Sequence, residues 1–149
     1  MQRSDFEIMA PAGSRETLAA ALQAGADSVY FGIGALNMRA HSAGGFTIDD
    51  LNEIAALCRE HGAKSYLTVN TVIYDGDLAA MREIVSAAKA AGVSAVIASD
   101  VAVMQCCREL GVEVHLSTQL NIANVEALRF YAQFADVVVL ARELTLRQV

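Results

Sequence analysis

A short phrase that joins the end of a helix to the start of a strand recurs along the chain. In each copy a helical stretch ends in glycine, one or two small or polar residues follow, and a short apolar run comes next. The copies lie at Gly25, Gly62, Gly92 and Gly111, with a weaker copy at Ala135. Glycine supplies the left-handed conformation that ends a helix, and short β-branched runs are typical of strands. The phrase therefore predicts a regular alternation of helices and strands.

The helices between these strands carry their own start signals. Ser14, Asp77, Asp100 and Asn124 are predicted N-caps, and Thr47 with Asp50 forms a capping-box pattern before the second helix. With a first strand in EIMAP, the predicted order is five strand–helix pairs followed by a sixth strand. Strict alternation predicts parallel strands joined by right-handed crossovers, so the expected fold class is α/β.

Two α/β architectures fit this order, an open doubly wound sheet and part of a (β/α)8 barrel. Two strands alternate between polar and apolar residues; their polar faces comprise Tyr66, Thr68 and Asn70 in the third strand and His115, Ser117 and Gln119 in the fifth. A sheet covered by helices on both sides is usually apolar on both faces, whereas a barrel carries polar groups at its C-terminal mouth. The alternation therefore favours a partial (β/α)8 barrel of TIM type.

The extent of the barrel is a further expectation. A complete barrel needs eight units, and the sequence supplies about five units plus a sixth parallel strand. Residues 1–149 are therefore expected to be a single domain, the N-terminal portion of a barrel, truncated before closure. Thr145 and Gln148 form a capping-box pattern that predicts a helix beginning where the sequence stops. Because an open barrel exposes two sheet edges, self-association through those edges is predicted.

Composition disfavours several functional classes. The chain is 54% hydrophobic and has no run that resembles a signal peptide or a membrane span, so a soluble, cytoplasmic protein without a membrane partner is expected. A net charge of −6 disfavours nucleic-acid binding by this segment alone. Cys58, Cys106 and Cys107 have neither the even number of a disulfide framework nor the spaced pairs of a metal site. No metal or cofactor is predicted in these residues.

Polar side chains follow the predicted strands, where a barrel of this type carries its active site. Amide and carboxylate groups there are costly to bury unless they are paired or used, which makes Asn70, Gln119 and Glu143 the catalytic candidates. His115 begins its strand away from the mouth and is predicted to be structural. Ser117 lies near it, but no third group is evident, so a serine triad is not supported.

The substrate-binding candidates lie on the loops after the strands. They are Asn37, Arg39, Asn121 and Arg142. The loop after the second strand is the longest, and long loops in compact domains often bind ligands. Arg39 could clamp a carboxylate or a phosphate, and an ordinary surface arginine is an equal alternative.

Several segments together resemble the N-terminal half of the peptidase U32, or collagenase-like protease, family. They are EIMAPAGS, AGADSVYFGIGALNMRA, KSYLTVNTVIYD, HLSTQLNIAN and VVLARELTL, in this order and spacing. The resemblance covers essentially the whole chain. It implies functional roles at the matching positions, which are Asn37, Arg39, Asn70, Gln119, Arg142 and Glu143.

The resemblance implies an enzyme and leaves its reaction open. Relatives act in hydroxylation of a tRNA or rRNA nucleoside or of ubiquinone precursors, and the family name denotes a peptidase, hence a hydrolase. Hydroxylation of RNA is the preferred expectation, and a non-catalytic scaffold or partner subunit is the third alternative. The RNA-acting relatives imply prephenate as a small-molecule partner. They also imply RNA contacts and an iron–sulfur cluster on residues outside this segment. The segment alone is expected to be inactive.

Overall fold

Six strands and five α-helices alternate along the chain in a computed structural model that describes residues 2–38 and 45–149. The strands are β1 (Met9–Ala12), β2 (Ser28–Gly32), β3 (Lys64–Val69), β4 (Ala95–Ala98), β5 (Val114–Leu116) and β6 (Val137–Val138). The helices are α1 (Arg15–Gln23), α2 (Leu51–Glu60), α3 (Leu78–Ala91), α4 (Val101–Leu110) and α5 (Val125–Tyr131). No helix within the described ranges is long and apolar enough to cross a membrane.

The six strands form one parallel sheet in the order β1-β2-β3-β4-β5-β6. Each strand therefore pairs with the strand that precedes it in the sequence. A doubly wound sheet reverses its strand order at a switch point, and this sheet has no such reversal among its six strands. The predicted α/β fold with barrel-type strand order is confirmed.

The two faces of the sheet have different partners. On one face, Phe31, Leu67 and Leu116 are fully buried in the main core that the sheet shares with the helices. On the other face, Tyr66 and Ile97 belong to a separate, smaller apolar cluster. Successive residues of a strand point to opposite faces, so the alternation in β3 places Tyr66 and Thr68 on the face away from the helices. We call this face the interior face.

Three of the predicted N-caps form as local sequence rules require, whereas Asp77 makes no side-chain cap hydrogen bond to α3 and instead accepts one from the N–H of Tyr74. Ser14 Oγ, Asp100 Oδ1 and Asn124 Oδ1 each accept a hydrogen bond from a backbone N–H in the first turn of α1, α4 and α5. At the other ends, Gly92 and Gly111 adopt left-handed φ angles of 75° and 65° after α3 and α4. These signals act within a few residues, which is why the sequence predicts them correctly.

Strand β5 ends earlier than the sequence indicates. Leu116 is its last residue, and Thr118–Leu120 form a 3-10 helix instead of continuing the strand. Ser117 begins this turn, because its Oγ accepts a hydrogen bond from the N–H of Gln119 and its carbonyl accepts one from the N–H of Leu120. The prediction that Gln119 lies on the strand beside Ser117 is therefore wrong.

Strand β6 is also shorter than predicted. Arg142 and Glu143 lie in a turn, four and five residues after its end, so the prediction that they share a strand is wrong. The N–H of Ala141 donates to the carbonyl of Ile122, in the loop before α5, which draws the chain away from the sheet. With β5 as its hydrogen-bonded neighbour in the described sheet, β6 has few ladder bonds to extend it.

Candidate active site at the mouth of the barrel interior

A cavity of about 210 Å³ opens on the interior face toward the C-terminal ends of the strands. Its lining combines hydroxyl, amide and apolar side chains: Met9, Tyr30, Thr68, Asn70, Ile97, Ser117, Thr118 and Val139. In parallel barrels, the loops at this end carry the active site. The cavity is therefore the candidate functional site, and none of the eight lining residues carries a formal charge.

Asn70 links two loops across this mouth. Its Oδ1 accepts a hydrogen bond from the backbone N–H of Met38 at 3.2 Å, and its Nδ2 donates to Ser117 Oγ at 3.3 Å. Because the Met38 N–H can only donate, the oxygen of the amide must face Met38 and the nitrogen must face Ser117. One side chain thus joins the segment after β2 to the residue after β5.

Ser117 is almost completely buried, with 5% of its surface exposed. Its Oγ accepts from Asn70 Nδ2 and, at 3.4 Å, from the backbone N–H of Gln119. Both neighbours are amide donors. Neither can remove a proton, so these contacts do not activate the hydroxyl as a nucleophile.

His115 points toward the opposite end of the strands. Its Nε2 lies 2.8 Å from Glu113 Oε1, and its ring contacts Tyr66 with centroids 4.6 Å apart. The imidazole is therefore engaged next to the strand starts, where stabilising contacts are expected. These contacts agree with the predicted structural role of His115, and no hydrogen bond joins its imidazole to Ser117 among the described residues.

Asn37 is buried against the end of β2. Its Nδ2 donates to the carbonyls of Ile33 and Gly34, both at 3.1 Å. A Cβ atom on Gly32 would lie 2.3 Å from the Asn37 side chain, so only glycine permits this close approach. These contacts give Asn37 a clear structural role, which is to hold the segment after β2 against the sheet.

The other predicted site residues lie outside the cavity lining. Gln119 and Asn121 are exposed on the 3-10 turn, where Asn121 has a left-handed φ of 49°. Arg142 and Glu143 are exposed, and no side-chain hydrogen bond or ion pair joins either of them to another described residue. Arg39 lies outside the described residues. The structure thus brings Asn70 and the Asn37 segment together at the mouth, and the predicted roles of all these residues remain predictions.

Four polar residues that line the cavity are not among the predicted site residues: Tyr30, Thr68, Ser117 and Thr118. Thr68 Oγ1 donates to the carbonyl of Phe31 at 3.0 Å. Thr68 and Ser117 lie on the polar faces of the alternating strands that also predict Asn70. The prediction favours amide and carboxylate groups, so these two hydroxyls are not among the predicted site residues.

The cysteines do not fit an iron–sulfur cluster. All three are buried, and burial raises the pKa of Cys107 to about 12, with neighbouring Cys106 adding to the increase. Burial also raises the pKa of Cys58. Cluster ligands must be thiolates, which these surroundings disfavour. Within residues 2–38 and 45–149, no group of three or more His, Cys, Asp or Glu side chains could hold a metal ion.

A family model described as peptidase family U32 matches residues 13–149. The chain belongs to this family. The match covers every described strand except β1, together with all the residues that line the mouth cavity except Met9.

Two proteins that are similar to this chain carry different names. A protein named collagenase from Porphyromonas gingivalis strain W83 is 68% identical over 100% of this chain, which corresponds to 36% of that protein. The tRNA hydroxylation protein P1 of Bacillus subtilis strain 168 is 34% identical over 96% of this chain and 34% of its own length. The chain therefore spans about a third of the length of these relatives.

A solved structure agrees on the fold. The U32 peptidase Mk0906 superposes with a TM-score of 0.67 at 13% sequence identity, over 90% of this chain and 57% of that one. At this identity the similarity shows the fold alone. The chain is thus a U32 family member with a TIM-like strand–helix arrangement.

Proposed function

We propose that this chain forms part of an enzyme that hydroxylates a nucleoside of tRNA or rRNA. In this proposal the cavity at the mouth forms part of the pocket for a small-molecule substrate such as prephenate. Similarity to the tRNA hydroxylation protein P1 supports the reaction class. The structural observation that carries the proposal is the environment of Ser117, whose Oγ meets two amide donors and, among the described residues, no base.

The RNA would be bound mainly by parts of the protein outside this chain. A net charge of −6 provides no general attraction for a phosphate backbone. The uncharged cavity is instead suited to positioning a compact organic molecule through a few hydrogen bonds. In this proposal, the 149 residues supply part of the small-molecule pocket and are inactive by themselves.

Mass spectrometry of nucleosides from a deletion strain tests the proposal. A hydroxylated nucleoside in tRNA or rRNA should disappear on deletion and return with the wild-type gene. Asn70→Ala should restore it about tenfold less efficiently, because the mouth loses the side chain that joins its two loops. Asn52→Ala, an exposed change on α2, should restore it fully. Unchanged nucleoside hydroxylation in the deletion strain would contradict the proposal.

A collagen-degrading peptidase is the second candidate. The 68% identity to the Porphyromonas gingivalis collagenase favours it. The complete protein, purified and incubated with denatured collagen, should then release peptides. Loss of that release in Glu143→Gln or Ser117→Ala, with retention in Asn52→Ala, would support peptidase chemistry at the mouth. Release that survives both substitutions would indicate a contaminant or a different site.

A further inference from the structure

We infer that the Ser117 hydroxyl donates a hydrogen bond to an acceptor oxygen of a ligand that binds in the mouth cavity. The ligand class is a small organic molecule that carries a carbonyl or carboxylate oxygen beside an apolar group. The inference deepens the proposed function, because it rests on the cavity being a ligand site. It also assigns a contact to a residue outside the set predicted from the sequence.

The backbone of Met38 determines how the Asn70 amide is oriented. Its N–H donates to Asn70 Oδ1, which fixes the orientation of the Asn70 amide. The Nδ2 group of Asn70 must then face Ser117, and it donates to Ser117 Oγ at 3.3 Å. A backbone donor therefore determines which end of the Asn70 amide the hydroxyl meets.

The direction of the Ser117 proton follows from the donors that surround its Oγ. A serine hydroxyl has one proton and two lone pairs. Donors occupy both lone-pair directions, one from Asn70 Nδ2 and one from the N–H of Gln119 at 3.4 Å. The proton must therefore point elsewhere, and none of the described residues provides an acceptor for it.

The surroundings of the Ser117 proton determine which ligand groups can reach it. Ser117 is 5% exposed and lines the cavity, so the cavity is the side from which an acceptor can reach its proton. A ligand oxygen that replaces water in the cavity would accept this hydrogen bond. Ile97 and Val139 line the same cavity and offer an apolar surface to the remainder of the ligand. The site thus favours an acceptor and disfavours a donor at Ser117.

Asn70 acts here as a positioning residue. Asn70→Asp should reverse the arrangement, because a carboxylate accepts from both Met38 and Ser117. The Ser117 proton would then turn toward residue 70, and the cavity would lose its donor while gaining a negative charge. Carboxylate ligands should be affected more strongly than neutral carbonyl ligands, since they are also repelled.

Binding of three simple probes to the isotope-labelled protein tests the inference by NMR. The probes share a phenyl group and differ in the polar end: 3-phenylpropionate, the neutral ketone benzylacetone and the cation phenethylamine. The two acceptor probes should shift the Gln119 amide and Asn70 side-chain amide signals in a saturable manner, and phenethylamine should not. The tighter of the two acceptors identifies whether a carboxylate or a carbonyl is preferred, and either result supports the inference.

Ser117→Ala should raise the dissociation constants of both acceptor probes about tenfold. The matched control Ser86→Ala, exposed on α3, should leave them unchanged, and Asn52→Asp controls for the charge added by Asn70→Asp. The spectrum of each variant reports whether it is folded. Equal binding of phenethylamine, unchanged binding in Ser117→Ala, or no saturable shift with either acceptor up to about 10 mM would overturn the inference. None of these measurements requires RNA chemistry, so they stand whether or not RNA hydroxylation is found.

Discussion

The two ends of the interior face satisfy their polar groups in different ways. At the strand starts lies a group that we call the floor: Glu7, Lys64, Tyr66, Glu113 and His115. Its bonds are short and involve charge, since Tyr66 Oη donates to Glu7 at 2.6 Å and Lys64 Nζ pairs with Glu7 at 3.0 Å. At the mouth, the bonds of Asn70 are uncharged and span 3.2 and 3.3 Å. The floor is closed by strong mutual contacts, whereas the mouth retains hydrogen-bonding capacity.

The protonation states at the floor reinforce this difference. Burial raises the pKa of Tyr66, and its hydrogen bond to Glu7 raises it further, so the phenol remains a donor. Partial burial also tends to raise the pKa of Glu7, but hydrogen bonds from Tyr66 and Lys64 help to hold that pKa below its ordinary value. A fixed donor therefore faces a fixed anion. This difference indicates that the floor stabilises the fold and that the mouth is available for function.

The largest stability effect is expected from a packing change beside the mouth. Gly32→Ala should lower the free energy of unfolding by about 2 kcal/mol, because the new Cβ would lie 2.3 Å from the Asn37 side chain. Urea denaturation measures the change. Gly13→Ala is the control, since nothing lies within 4 Å of a Cβ at that position. Equal stabilities of the two variants would show that Asn37 moves without cost, and that the mouth is looser than described.

A smaller loss is expected at the floor. Tyr66→Phe should lower the free energy of unfolding by about 1 kcal/mol, because the Glu7 carboxylate loses the hydroxyl that donates to it. The estimate allows for solvent screening at Glu7, whose side chain is 39% exposed. Thermal denaturation compares this variant with Tyr74→Phe, a control at a position that is 71% exposed. No difference between them would remove the structural role assigned to the floor.

Much of this fold follows from local sequence signals. The glycines after the helices and the caps at Ser14, Asp100 and Asn124 act within a few residues, so the sequence alone predicts them. The end of β6 depends instead on the bond from Ala141 to Ile122, which no local pattern reveals. A long-range contact of this kind explains why the end of β6 is less predictable than the order of the strands.

The site was predictable to a similar degree. Alternation along β3 identified Asn70, which lies at the cavity. The same alternation also marks Ser117, although the residue predicted for the site in this segment is Gln119. Where β5 ends decides between the two, and that end is set by the turn that Ser117 itself initiates. Ser117 becomes a predicted site residue when hydroxyl groups on the polar face of a strand are considered as well as amides.

Removing the link across the mouth should cost less stability than changing the floor. Asn70→Ala should lower the free energy of unfolding by about 0.5 kcal/mol, because its two hydrogen bonds are uncharged and partly accessible to water. Amide hydrogen exchange at Met38 should nevertheless become faster, since that N–H loses its acceptor. Asn52→Ala should leave the Met38 rate unchanged. An unchanged rate in Asn70→Ala would mean that another acceptor protects this amide.

The smallest effect distinguishes the two ends by pH. Because Glu7 has a lower pKa in the folded protein than its ordinary value of 4.5, its ionised form contributes stability above that value. This contribution is lost as the pH falls through the lower folded pKa. The stability difference between wild type and Tyr66→Phe should therefore shrink between about pH 6 and pH 3, by less than about 1 kcal/mol given the exposure of Glu7.

The matched measurement at the mouth is the difference between wild type and Asn70→Ala over the same pH range. It should stay constant, because neither bond of Asn70 involves a group that titrates there. Urea denaturation at several pH values gives both differences from one set of experiments. A mouth difference that changes with pH as the floor difference does would imply a titrating group beside Asn70, and the charge-based distinction between the two ends would then fail.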